Sequence, residues 1–438
     1  MFSYILSTKN YSPEINKLTR NYFLLSIFGA FINSLPAVFF SLYLIDKFDY
    51  AFAGILFTIM SISQFVFDYP TGALSDYLGQ KKVQILASIT YSISMILMYF
   101  AQSSNTFIVI MILLGLSAAL FSGVIQTWFS NNYHVLMPED TERDIYGSIM
   151  ARVRSYTFLT VAISIFVGST LATWKTRQFV FLLNGLLGLF GIILIVLFLN
   201  DFYPKESGEQ EFSPIQHVRN YLKLTFESLL IVIKDRLLLS TFWGLLLLSA
   251  SLGPVFIQLI YYPLVFGYTG TDAFIGLSQF AVYFVLAINV FFIGIFAKKF
   301  QRSYMPIFFI LYVFFFLNGL LLLFKLDPPT KTLNITAVIV IILLFLFFDS
   351  FVGEIAVNLQ QRIFLDLIPS KYRNSILSLY SSLMAITIAL FYALVGFIVQ
   401  DFNLDGGILF MELTGLLGCI FLLPILFSSR MSKRKLPQ

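Results

Sequence analysis

The chain has 438 residues, of which 58% are hydrophobic, 18% aromatic and only 12% charged, with a mean hydropathy of +0.85. A soluble domain carries about 25% charged residues, so this composition excludes one and places the chain in a lipid bilayer. A lone cysteine, Cys419, and two histidines, His134 and His217, exclude an internal disulfide framework and a histidine-rich metal site.

Twelve apolar runs of spanning length follow one another: Tyr22–Ile45, Ala51–Pro70, Val83–Ala101, Phe107–Trp128, Arg154–Trp174 and Phe179–Leu199, then Leu237–Val265, Ala273–Ala297, Met305–Phe324, Ile335–Asn358, Ile376–Val399 and Ile408–Phe427. A span needs about 20 apolar residues, and a lipid-exposed backbone must satisfy its own hydrogen bonds, so each run is expected to be a helix. The expected fold class is therefore an all-α polytopic membrane protein. Of the 28 Lys and Arg, the outward loops hold only Lys47, Lys175, Arg177, Lys325 and Lys331 when both termini are cytoplasmic. The net charge of +5 thus reads as a topology signal for a plasma-membrane protein, not as a nucleic-acid surface. Pro36 and Pro254 stand mid-span and predict bends. Trp128 and Trp243 lie near span ends, where interfacial belts are expected, and Asp272 and Glu412 read as solvated boundary residues.

The chain divides at its longest hydrophilic stretch. Residues 1–200 form one predicted six-helix bundle, and residues 237–438 form a second with a basic cytoplasmic tail. Residues 201–236 form a central cytoplasmic loop whose Ile215, Val218, Leu222 and Leu229 fall on one face of an amphipathic helix. The halves repeat each other. Ser34–Phe39 matches Ser251–Phe256, Ala51–Gly54 matches Ala273–Gly276, and Gly72 matches Gly294. Ser122, Gln126 and Ser130 align with Ser350, Glu354 and Asn358, and Arg143 with Arg373. The ordered matches imply two pseudo-symmetric bundles.

Between spans two and three the sequence reads Asp68-Tyr-Pro-Thr-Gly-Ala-Leu-Ser-Asp-Tyr-Leu-Gly-Gln-Lys-Lys82. Gly72 would permit a close helix contact, Gly79 a tight turn, and Asp76 offers a carboxylate to a helix N-terminus or a basic group. This stretch resembles motif A of the major facilitator superfamily, carried by Gly72, Leu74, Asp76, Gly79 and Lys81. The resemblance implies twelve helices in two six-helix halves, with spans one, four, seven and ten lining a central cavity. It also implies that Asp76 closes the cytoplasmic side against span eleven near Arg373. Tyr77 and Gln80 replace two basic positions of motif A, Met111 stands at the position of the span-four arginine of motif B, associated with proton antiport, and Val167–Leu171 lacks motif C of many drug antiporters, which weakens a drug/proton antiporter reading.

Span ten alone has carboxylates deep inside an apolar run, Asp349 and Glu354. Ionisable groups in a bilayer face a cavity or a partner. Five residues at about 100° each set these two roughly 140° apart on a helix, so they do not share one binding point. Withdrawal from water favours a carboxyl group's neutral form, which suits it to carry a proton. Ser350 shares the stripe of Glu354, and Asn33, Gln126, Ser251 and Gln258 are candidate hydrogen-bonding residues on spans one, four and seven. The expectation is a monomeric secondary transporter moving a small-molecule substrate by alternating access, coupled to protons. It uses no cofactor or metal, has no nucleic-acid partner and is not an enzyme. A uniporter, an exporter of lipophilic cations, and a non-transporting sensor or lipid-handling protein are the alternatives.

Overall fold

A backbone in hydrocarbon meets its hydrogen bonds internally, and this chain does so with helices. The computed structural model describes residues 6, 11–140, 144–200, 226–296, 310, 313, 367, 368 and 373–426, and among these there is no strand. Nine helical stretches among the described residues are long and apolar enough to cross a membrane. They match spans one to eight, and the ninth, Leu379–Pro424, is 46 residues long. It carries both span eleven and span twelve, separated at Asn403, whose φ of 61° and ψ of −172° leave the helical region. Span nine is represented only by Ile310 and Val313, and span ten lies outside the described residues. Of the central amphipathic helix only 226–234 is described; it is helical, with Ser228 and Val232 buried and Glu227 and Lys234 exposed.

Short polar residues start the helices. Ser12 accepts from the Ile15 amide, Ser103 from Thr106 and Thr176 from Phe179, and Asp235 accepts from both Leu237 and Leu238. Each meets donors that the first turn would otherwise leave unpaired. Between spans two and three the expected loop is shorter than the sequence suggests: helix persists to Leu78 and restarts at Gln80. Gly79, at φ 87°, makes the whole turn. Span four, read as one unbroken run, is interrupted at Ser122–Gly123, where Gly123 takes φ 68°.

The described residues group into two compact units. The first takes those within Met1–Leu44, Ile59–Pro214 and Thr269–Ile295, the second those within Ile45–Thr58, Ile215–Tyr268 and Phe296–Gln438. Span eight thus groups with the first unit and the start of span two with the second.

Within the first unit, span five runs antiparallel to span eight. Thr173 meets Ala273, Ser169 meets Gly276, Phe166 meets Phe280, Phe158 meets Tyr283 and Ser155 meets Ala287. Its aromatic core holds Trp128, Phe129 and Tyr22, the last two stacked at 4.2 Å between ring centres. Trp128 is fully buried and donates from Nε1 to the Asn200 carbonyl at 3.3 Å, so it is a core residue and not part of a belt; Trp243 is exposed. Within the second unit, the start of span two runs antiparallel to span eleven. The Tyr50 amide donates to Gln400 at 3.2 Å, Gly54 lies against Gly396, Phe57 stacks on Tyr392, and Thr58 donates to the Ala389 carbonyl at 2.7 Å. Glycine at such crossings lets two backbones approach. Gly54 and Gly276, matched in the sequence repeat, both serve this purpose.

Span one ends as a helix at Ser34 and restarts at Ala37, the bend expected from Pro36. Proline has no N–H to give the Ile32 carbonyl. The Leu35 amide and the Tyr91 hydroxyl of span three donate to it instead, each at 3.3 Å, with Asn184 of span six donating to that hydroxyl at 2.8 Å. Ser164 of span five donates to the Phe31 carbonyl, and Gly168 packs directly on the Leu35 carbonyl. Outward from these contacts, span six presents Leu186, Phe190, Ile193 and Leu197, exposed apolar residues suited to lipid. Replacing Gly168 by Ala drives a Cβ into the Leu35 carbonyl; overpacking of this kind costs typically 1–3 kcal/mol. The variant should melt several degrees below wild type in detergent, whereas Gly72→Ala, where a Cβ meets nothing within 4 Å, should not shift the transition.

Candidate functional site

Apolar spans in lipid have one use for an exposed polar strip, which is to line water. In the first unit, span four turns Ser122, Gln126 and Thr127 outward around its break at Gly123, and span one turns out Asn33. Val124, Trp128 and Phe129 of the same helix are buried. The helix is therefore amphipathic in the sense a passage requires: one side packs, and the other is polar and open. Asn33 and Gln126 are both exposed.

The span-seven candidates are placed differently. Ser251 is buried and donates back to the Leu248 carbonyl at 3.0 Å, a contact within its own helix. Gln258 lies in a π-helical turn, Ile257–Tyr261, that follows the break at Gly253–Pro254. Its Oε1 accepts from the Tyr392 hydroxyl at 2.8 Å, which ties span seven to span eleven. Asp349, Ser350 and Glu354 lie outside the described residues.

The motif between spans two and three is built as follows. Leu74 packs on Val83, Ala87, Leu120 and Val124. Lys81 Nζ donates to the Val196 carbonyl and to Asn200 Oδ1, both at 2.7 Å, so a cation meets the C-terminal carbonyls of span six. That end carries the negative pole of the helix. The Thr71 hydroxyl donates to the Ala119 carbonyl at 3.1 Å, fixing span two against span four. Gly72 departs from expectation, being exposed with open space where a Cβ would point; the close contact is made one turn-position away by Thr71. The side chains of Asp76 and Arg373 lie outside the described residues.

One ion pair escaped the sequence reading. Arg177 donates from Nε to Asp272 Oδ2 and from Nη2 to Oδ1, both at 2.8 Å, with side-chain exposures of 13% and 6%. Asp272 is thus buried and paired, not solvated, and Glu412 is likewise buried, at 3% exposure. The fork of the guanidinium matches the carboxylate in plane, which gives this pair direction as well as charge. Beside it the Ala273 amide donates to Thr173 Oγ1 at 2.9 Å. The pair joins the loop between spans five and six to the start of span eight, two segments 95 residues apart. The only signal available was a charge of each sign beside a span end, which fits a solvated loop equally well. No group of His, Cys, Asp and Glu suited to a metal occurs among the described residues.

These features define a multi-pass, all-helical membrane protein. The chain belongs to the major facilitator superfamily, whose family model matches residues 22–353. Among solved structures, a variant of the nucleoside transporter NupG superposes with a TM-score of 0.69 at 13% identity, over 95% of this chain and 100% of that one. NupG itself gives 0.65 at 12% identity, over 97% and 100%. The human organic anion transporter MFSD10 gives 0.58 at 16% identity, over 94% and 100%. No curated protein matches the sequence. The protein is a membrane transporter of this superfamily.

Breaking a buried ion pair by removing one partner costs about 3–5 kcal/mol, because the remaining charge is stranded. Arg177→Ala and Asp272→Ala should each lower the melting temperature of the purified protein markedly. Arg177→Met combined with Asp272→Leu should recover most of that loss, as apolar groups of similar volume do. Equal melting of wild type and both single variants would show the pair to be idle.

Proposed function

We propose that the protein is a proton-coupled secondary carrier that moves a small solute across the plasma membrane by alternating access. The observation that carries this reading is the polar, exposed face of Asn33, Ser122, Gln126 and Thr127 on helices otherwise clad in apolar residues. On this reading spans one and four supply hydrogen bonds to the solute from one half, and Gln258 of span seven and Ser350 of span ten supply them from the other. Asp349 and Glu354 carry the proton. A carboxyl group that gains and loses a proton within the passage changes the local charge by one unit, and that change biases which side stays open. Asp76 and Arg373 take part in closing the cytoplasmic side. Arg177–Asp272 and the span two–span eleven contact at Gly54 and Gly396 hold the opposite side, and both termini are cytoplasmic.

The test is purified protein in liposomes under an imposed pH gradient, screened against labelled solutes that include nucleosides and organic anions. Uptake of the accepted solute should follow the gradient and stop when a protonophore collapses it. Glu354→Gln or Asp349→Asn should reduce gradient-driven uptake to background while solute exchange at equal pH continues. If both variants keep full gradient-driven uptake, neither acid carries the coupled proton. Uptake that ignores the gradient in wild type identifies a uniporter instead.

A further inference from the structure

Behind the bend of span one, spans one, three, four and six of the first unit border a half-open pocket of about 40 Å³. Most of its wall is apolar, but span three sets Gln84, Ser88 and Tyr91 along it at i, i+4 and i+7, one face of a helix, and span one adds Asn33. Gln84 is 3% exposed, and its Oε1 has no hydrogen-bond partner. A buried amide oxygen left in that condition is destabilising unless something donates to it. A water needs about 10–15 Å³ and two to four polar partners, so this space accommodates more than one.

We infer that the cavity is a water-binding site, its ligand a small cluster of water molecules held by Gln84, Ser88, Tyr91 and Asn33. The Gln84 amide, turned about its last torsion, offers such a cluster either its oxygen or its NH₂ group. An apolar occupant would leave the amide unmet, and a cation would find only neutral groups in the wall. The site has a use. Ile32 and Tyr91 both line it, and the Ile32 carbonyl, which Pro36 cannot serve, accepts from the Leu35 amide and the Tyr91 hydroxyl, each at a long 3.3 Å. Water in the cavity is a further donor for that carbonyl. Span one can then change its bend while that carbonyl keeps a donor within reach.

X-ray radiolytic footprinting of the full chain in lipid nanodiscs, in isotopically labelled water, reads bound water through oxidation of adjacent rings. Tyr91 should take up label several-fold faster than Tyr43, a tyrosine of equal burial that does not line the cavity (7% against 6% exposed). Gln84→Leu should remove that difference while leaving Tyr43 unchanged. If Gln84→Leu fails to fold, the wild-type comparison decides alone: equal rates at Tyr91 and Tyr43 mean a dry cavity and overturn the proposal. For the bend, Tyr91→Phe removes one donor from the Ile32 carbonyl and leaves the Asn184 amide unmet, so it should by itself lower the melting temperature. Adding Gln84→Leu should lower the melting temperature by more than the two single shifts combined. Additive shifts would contradict the exchange of Tyr91 for water.

Discussion

Every helix break inside hydrocarbon frees backbone groups that no lipid can satisfy, and the arrangement of the first unit follows from meeting that demand at Pro36. The sequence of span one dictates the break; its own Leu35 amide serves the Phe31 and Ile32 carbonyls, and other spans add Ser164 on the first, Tyr91 on the second and Asn184 behind Tyr91. Gly168 is small because the Leu35 carbonyl occupies the space a side chain would need. Three helices are thereby fixed against the bend, and span four, broken at Gly123, stands beside it with its polar side exposed. The second unit has its own break, at Gly253–Pro254. There the chain rewinds through a π-helical turn, and Tyr392 reaches Gln258 within it.

Between the sequence halves, the contacts have a common form. Span eight lies along span five, and the start of span two lies along span eleven, each antiparallel and each with a glycine where the helices come closest. Polar groups at the ends of these crossings, Arg177 with Asp272 and the Tyr50 amide with Gln400, add direction to contacts that packing alone would leave free to slide. Dispersion between helices in lipid has little hydrophobic drive behind it, so small residues and polar bonds decide where they meet. On the proposed reading these are the contacts that must part when the passage opens on their side.

Much of this was legible in the amino-acid pattern, because spanning length, capping residues and proline act locally. The spans, the bends at Pro36 and Pro254 and the turn at Gly79 follow from a few residues each. What was not legible concerns which face of a helix meets which neighbour. In a soluble helix the polar side marks the outside, whereas here both lipid and core favour apolar residues, so the contrast is lost. Hence Trp128 looked like an interfacial residue and proved to be core, and Gly72 looked like a contact and proved open. Asp272 and Glu412 looked solvated for a related reason: a charge at a span end fits a loop or the interior equally well, and for Asp272 only its distant partner Arg177 decides. Gln84 drew no attention, since one amide at the start of a span is unremarkable until the cavity beside it is seen. The break at Ser122–Gly123 has no proline to announce it.

The central claim is that the contact of span two with span eleven opens during transport. The most direct measurement places cysteines at Tyr50 and Gln400 on a Cys419→Ser background and follows solute uptake in liposomes before and after oxidation. A carrier that works by alternating access should be arrested by the cross-link and restored by reductant. Undiminished uptake with the disulfide fully formed would contradict the account.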